Sequence, residues 1–291
     1  MWYLIAAVTI WASSLIAGKF SYETFDPALT VQIRLLISAL LLLPLFKRNY
    51  HRVPPHLRLK VWLLAMMNLP LVLNLQFIGL YYTSAASAST IVGMEPLLVV
   101  FIGRLCFGQA AKPIDWLLST LAFIGIALVV LGGGEEGEIS LWGCFLVLVA
   151  EVIFALCLYL GKSVMKEIEP RVYTNCILVL GALLCLPFTL LFTRDWQITP
   201  TFNGIAAVLY LAVACTWFAM LLFNKGLQQV SANVSGILIT LEPVFGVLLA
   251  VLVLGESFSL VSGIGMALVM ATTFLSVSLP MLVKRLRRKA A

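Results

Sequence analysis

Long apolar runs, parted by short polar stretches, take up almost all of the 291-residue chain. A helix that crosses a bilayer needs about 20 mostly apolar residues. Ten runs meet that need: 2–19, 28–46, 61–81, 84–107, 114–132, 140–162, 172–192, 203–224, 231–254 and 259–283. The pattern predicts an all-α membrane protein with ten transmembrane helices and no room for a separate soluble domain. The first run has no basic segment before it, and Lys19 follows it without a clear cleavage site. It therefore reads as a span rather than a signal peptide.

Composition narrows the class. Hydrophobic residues make up 62% of the chain and charged residues 11%, with a mean hydropathy of +1.06. A soluble domain is nearer 45–50% apolar and ~25% charged. The net charge of +6 does not indicate nucleic-acid binding, because the basic residues sit at the ends of apolar runs. The cysteines Cys106, Cys144, Cys157, Cys176, Cys185 and Cys215 lie mostly inside those runs without C-x-x-C spacing, and read as packing residues. His51 and His56 share one basic loop, too few and too exposed for a metal site. There is no H-E-x-x-H, no P-loop and no Ser/His/Asp set. The expectation is a protein that is not an enzyme and has no cofactor or metal. Any concentrating power would come from an ion or substrate gradient.

Lys and Arg set the orientation. With the N-terminus in the cytoplasm, every Lys and Arg except Lys19, Arg34 and Arg194 falls in an inside segment. The positive-inside rule then places both termini in the cytoplasm. The basic tail, 284–291, is expected to lie against anionic headgroups. Tyr81, Tyr82, Trp142 and Trp196 sit near span ends and read as interfacial belt residues.

The chain repeats itself. Gly18-Lys19 returns as Gly161-Lys162, Pro27 as Pro170 and Pro44 as Pro187, all at one spacing. At a second, slightly longer spacing, Gly79-Leu80 returns as Gly226-Leu227, Ser84-Ala85 as Ser231-Ala232, Glu95-Pro96 as Glu242-Pro243 and Gly108 as Gly255. The divisions are a first five-helix repeat (1–134), an acidic glycine-rich linker (135–139), a second repeat (140–283) and the tail. Five is odd, so the halves would cross the membrane in opposite directions. Inverted repeats suit transport, because two mirrored packings present one midplane site to either side.

The run Glu242-Pro243-Val244-Phe245-Gly246-Val247-Leu248-Leu249-Ala250, closing on Leu254-Gly255-Glu256, resembles the ninth span of the drug/metabolite transporter superfamily, EamA type. Arg34 in the second span fits, and Glu95-Pro96 followed by Gly108-Gln109 looks like the first-half copy, with Gln109 where the family commonly has Glu. The resemblance implies a ten-helix carrier with a central cavity, usually in a bacterial inner membrane, exporting amino acids, nucleosides, drugs or other small metabolites. Glu151 departs from the pattern, which expects a small or apolar residue in mid-span.

An ionised group at the bilayer centre costs at least ~2.5–3.5 kcal/mol, so each one there is a functional candidate. Four qualify: Arg34, Glu95, Glu151 and Glu242. Pro96 and Pro243 remove a backbone donor beside Glu95 and Glu242, and predict a kinked hinge in each span. The freed carbonyls would be those of Val92 and Ile239. Such backbone is tolerated only inside protein or along a wet cavity. Ser231, Ser235, Leu238, Glu242 and Gly246 share one helical face, matched by Ser84, Ala88, Ile91, Glu95 and Val99. Glu151 shares a face with Tyr159 and Lys162, but Lys162 is about 16 Å along the helix, too far to pair directly. The repeat counterpart of Glu151 is Val8. That asymmetry makes Glu151 the leading candidate for proton coupling or for binding a cationic group. Arg34 is expected to snorkel, to pair with a glutamate, or to meet a substrate carboxylate. Lys19 and Lys162 read as flanking anchors.

Other polar and aromatic positions complete the candidate site. Asn68, Val72, Gln76 and Gly79 share a face, with Asn74 pointing elsewhere; Tyr210, Trp217 and Asn224 share another; Trp11 and Ser14 are neighbours on the first span. Three acids against one base favour an amine-bearing substrate such as an amino acid. The reading is a proton-coupled secondary transporter that exports small metabolites by alternating access. The rival readings are an uncoupled facilitator, a membrane-embedded lipid-processing enzyme and a scaffold.

Overall fold

The computed structural model describes residues 2–108, 113–132, 140–229 and 241–290, with Pro96, Asp115, Val130, Asn224, Leu227, Gln228, Gln229, Leu241, Ser276, Val277 and residues 280–290 described by backbone only. The linker 135–139, Gln109, Ser231, Ser235, Leu238 and Ile239 lie outside the described residues, as do the side chains of the tail. Everything regular among the described residues is helical. The helices are α1 (Trp2–Ala12), α2 (Ser14–Ser21), α3 (Pro27–Asn49), α4 (Pro55–Met66), α5 (Val72–Tyr81), α6 (Ala85–Val92), α7 (Glu95–Phe107), α8 (Pro113–Gly132), α9 (Leu141–Val164), α10 (Pro170–Phe192), α11 (Phe202–Tyr210), α12 (Ala219–Gln229), α13 (Leu241–Leu254) and α14 (Leu260–Ala290). Two π-helical segments, Met67–Leu71 and Leu211–Phe218, join α4 to α5 and α11 to α12.

Six helical segments are long and apolar enough to cross a membrane, and α6 with α7 makes a seventh if taken as one broken span. Three further apolar helices are shorter: Trp116–Val129, Glu242–Leu254 and Leu260–Leu275. Two predicted spans are discontinuous. The first breaks at Ser13 between α1 and α2. The fourth breaks before Glu95, and its two parts meet at 46°. Pro96 has no donor to give, and as the second residue of α7 it stands where a helix needs none.

Local chemistry fixes the ends. Asp26 accepts from Ala28 N at 2.9 Å with Pro27 opening α3; Ser84 and Thr201 cap α6 and α11 through Ser87 N and Gly204 N. Gly108 and Gly255 end α7 and α13 with φ of 63° and 68°, a conformation that costs any residue with a Cβ.

The helices pack in pairs: α8 on α14, α3 on α10, α5 on α9, α6 on α13 and α1 on α12. Glycines set the closest approaches. A Cβ on Gly125 would lie 2.8 Å from Gly265 O, and one on Gly265 would lie 2.5 Å from Gly125 O. Small residues permit such contacts where no hydrophobic effect drives helices together. Leu40, Leu190, Leu191 and Leu252 are each more than two-thirds exposed and give the fold an apolar outer surface.

Polar contacts identify the two ends of the bundle. At one end His56 Nε2 lies 3.0 Å from Glu167 Oε2, and Lys60 Nζ donates to Ser163. This is the basic end, with the 47–60 loop. At the opposite end Lys19 Nζ donates to Thr83 O at 2.6 Å, Arg194 Nη1 to Tyr82 at 2.5 Å, and Ser140 N to Tyr82 O at 3.1 Å. Lys19 is thus tied to the fold at its span end.

Candidate functional site

A cavity of about 100 Å³ lies where the broken helices meet. Its polar wall comes from Arg34 on α3, Asn68 in the first π-helical segment, Gln76 on α5, Glu95 on α7, Glu151 on α9, Thr216 in the second π-helical segment and Glu242 on α13. Trp11, Ser14, Phe154, Cys215 and Met220 supply the rest, with apolar residues between them. A smaller cavity of about 50 Å³ shares Trp11, Asn68, Phe154 and Met220 and reaches Lys162, Met165 and Tyr173 at the basic end.

The four ionisable candidates therefore converge. Glu95 and Glu151 are buried, and so is Arg34. The Glu151 carboxylate accepts from Gln76 Nε2 at 3.2 Å. Arg34 Nε donates to Thr216 Oγ1 at 2.8 Å, and the guanidinium lies over the Phe77 ring at 4.9 Å. Among the described residues, the ion pair is His56–Glu167. Arg34 neither snorkels nor salt-bridges to a glutamate. Three desolvated carboxyls on other helices give it no direct partner; a threonine and an aromatic face hold it instead. Its Nη1 is buried with no hydrogen-bond partner, a state that native proteins seldom leave unexplained.

The π-helical segments shape the site. Each adds a residue to a turn and shifts the faces beyond it, a feature frequent at functional sites. Asn74 Nδ2 donates to Pro70 O at 2.7 Å, and Thr216 Oγ1 to Leu211 O at 2.8 Å, occupying carbonyls within these segments. In the first, Asn68, Val72 and Gln76 keep their shared face toward the cavity, while Gly79 packs on Gly143. Of the predicted stripe through the second, Tyr210 and Trp217 lie away from the cavity. Tyr210 is 41% exposed and bonds to Ser13, and Trp217 packs on the apolar core. Cys215, Thr216 and Met220 take their place, and a strict helical period could not have found them.

Tyr159 is also placed elsewhere than expected. Its hydroxyl donates to Val99 O at 2.9 Å and its ring stacks on Phe107 at 4.7 Å. Trp11 lines the cavity and donates from Nε1 to Cys215 O at 2.9 Å. Pro243 packs where a Cβ on Gly93 would meet it at 2.7 Å, so the second hinge proline sits against the break in the fourth span. Phe154 faces the cavity one turn beyond Glu151; that spacing was a usable signal.

The profile of the EamA-like transporter family matches residues 1–131 and 141–278. An uncharacterized transporter of Haemophilus influenzae is 50% identical over 142 residues, which is 48% of this chain and 84% of that protein. An uncharacterized transporter of Archaeoglobus fulgidus is 26% identical over 95% of this chain and 97% of its own. The inner membrane transporter YedA of Escherichia coli, likewise uncharacterized, is 23% identical over 91% of this chain and 86% of its own. A solved crystal structure at 20% identity superposes with a TM-score of 0.64, covering 98% of this chain and 97% of the other, and shares the fold. A multi-span apolar helical bundle and a family profile over most of the chain lead to one conclusion: the chain belongs to the EamA-like transporter family of the drug/metabolite transporter superfamily, and is a membrane transporter, not an enzyme.

Proposed function

We propose that the protein is a proton-coupled secondary transporter in the inner membrane, both termini cytoplasmic, that exports small amine-bearing metabolites such as amino acids by alternating access between two inverted five-helix repeats. The observation that carries the proposal is the cavity itself. It is lined by three carboxyls on three helices and by Arg34, whose buried Nη1 has no hydrogen-bond partner. An amino-acid zwitterion presents an ammonium and a carboxylate, the two groups such a wall can take. A volume of about 100 Å³ is small beside the ~300–1,000 Å³ of sites for drug-sized ligands, which favours a small metabolite.

The helix pairings support two related halves. Exchanging the halves maps α3 on α10 and α8 on α14 each onto itself, and maps α1 on α12 onto α9 on α5. Individual contacts follow. A Cβ on Gly79 would meet Val147, and one on Gly226 would meet Leu4, the counterpart of Val147. Ser38 Oγ donates to Ala212 O, and the counterpart of Ser38, Gly181, faces the carbonyl of Ala65.

Against this symmetry the polar pairs stand out. The counterparts of Arg34 and Thr216 are Ile177 and Leu69, both buried in one apolar cluster. The counterparts of Glu151 and Gln76 are Val8 and Phe223, also buried. Scaffold contacts occur twice and need no charge. Charge placed once, in the cavity, is the mark of a site, since a buried ion is costly unless it serves a function. Glu151 is the assigned proton carrier or ammonium ligand. Glu95 and Glu242 line the hinge, and Arg34 takes the carboxylate.

The test is flux through purified protein in liposomes holding a pH-sensitive dye. Amino acids are expected to drive proton movement in the wild type and none in Glu151→Gln. Flux that ignores an imposed pH gradient and survives that change would make the protein a facilitator.

A further inference from the structure

Glu256 stands apart from the cavity, at the end opposite the basic loops. The left-handed turn at Gly255 brings its carboxylate across to the first turn of α6. Oε1 accepts from Ala85 N at 2.7 Å and Oε2 from Ala86 N at 2.9 Å, the former across 171 residues of sequence. The opening N–H groups of a helix have no partner within it. Ser84 Oγ accepts from Ser87 N, and Ser84 O from Ala88 N. Glu256 satisfies the donors of Ala85 and Ala86, and its charge suits the helix dipole.

Below this bond α6 and α13 pack closely against each other. A Cβ on Gly246 would come within 2.4 Å of Ser89 Oγ, and one on Gly93 within 2.7 Å of Pro243. The seam runs from Glu256 down to Glu95 and Glu242. There α7 turns away by 46° and the cavity begins. The smaller cavity, which shares Trp11, Asn68, Phe154 and Met220 with it, lies toward Lys162 and Met165 at the basic end, and the seam lies on the other side.

We propose that Glu256 is the latch of the end opposite the basic loops. Its carboxylate, bound to the N–H groups of Ala85 and Ala86, holds α6 against α13 while the cavity faces the basic end. It must let go for the cavity to open at the opposite side. This rests on the alternating-access reading. The contact suits a gate, because at a water-accessible end a broken hydrogen bond is replaced by bonds to water and the net cost is modest. The latch joins a loop of the second half to a helix of the first, so its release moves the halves apart. Glu256 is a positioning residue and touches no substrate.

The test reads accessibility. Membrane vesicles of both orientations are treated with a membrane-impermeant maleimide, and labelled peptides are read by mass spectrometry. The probes are native Cys144, which is buried and 3.4 Å from Thr83 Oγ1 beside the seam, and an introduced Ala86→Cys. In the wild type both are expected to react slowly. In Glu256→Ala both are expected to react several-fold faster from the side opposite the basic loops, and in Glu256→Gln, which keeps one acceptor, at an intermediate rate. A second arm joins Ala85→Cys to Glu256→Cys with a short reversible cross-linker; transport is expected to stop and to return on reduction. Unchanged labelling of folded Glu256→Ala and Glu256→Gln, or full-rate transport by the cross-linked protein, would overturn the latch and leave Glu256 a static cap. The labelling uses no substrate, so its result is separate from whether amino acids are carried.

Discussion

Arg34 donates from Nε to Thr216 Oγ1 at 2.8 Å and leaves Nη1 without a partner in the same buried cavity. The threonine fixes the guanidinium, and under the proposed function the unpartnered nitrogen is the one a substrate carboxylate would meet. Hydrogen bonds to charged groups are worth ~1.5–3 kcal/mol. Arg34→Lys keeps the charge but cannot bond Thr216 and offer a second nitrogen in the same plane. Uptake assays are expected to show about tenfold or greater loss of affinity, since ~1.4 kcal/mol is a factor of ten. An amine lacking a carboxylate should be little affected, and equal losses for both substrates would refute this role.

Thr216→Val removes the partner of Arg34 Nε and the donor to Leu211 O. Stranding a buried polar group costs ~1–3 kcal/mol. The expected result is a lower melting temperature in detergent together with weaker transport, and Thr216→Ser should restore both.

Gln76 and Glu151 form the second polar pair that has an apolar counterpart. Gln76→Leu is expected to keep substrate-driven proton movement, with a shifted pH profile, because the carboxyl remains. Glu151→Gln is expected to end it while expression and melting temperature hold. A common effect of the two changes on folding alone would assign the pair to the scaffold.

The α8–α14 contact predicts a stability effect remote from the cavity. A Cβ on Gly265 would meet backbone oxygen at 2.5 Å. Gly265→Ala must push the helices apart, and overpacking of this kind costs ~1–3 kcal/mol. Thermal unfolding is the measurement; substrate affinity in the surviving folded protein should be unchanged.

Gly255 has φ of 68° and open space around it, so only its backbone resists a side chain. Gly255→Ala is expected to lose ~1–2 kcal/mol. Gly255→Asn should lose less, because Asn tolerates the left-handed region.

Much of the fold was visible in the order of residues. Apolar runs locate helices because a bilayer leaves a backbone few other ways to satisfy its polar groups. Glu95, Glu151, Glu242 and Arg34 were visible as candidates because charge in an apolar run is costly. Tyr159 and Trp217 were misplaced for one reason: helical period assigns a face but not the neighbour that covers it. Tyr159 bonds to the Val99 carbonyl, and Trp217, in the second π-helical segment, packs against the apolar core.

By itself, the order of apolar and polar residues determined that the chain is a helical membrane protein with a few charges buried within it. These are local properties, set by hydropathy. Tertiary structure alone decided that Arg34 would meet Thr216 rather than a glutamate, that Gln76 would reach Glu151, and that Glu256 would cap a helix from the other half of the chain. Each of these joins residues far apart in sequence. Their meeting depends on helix breaks, π-helical register shifts and glycine-controlled approach, which take effect only once the helices have packed.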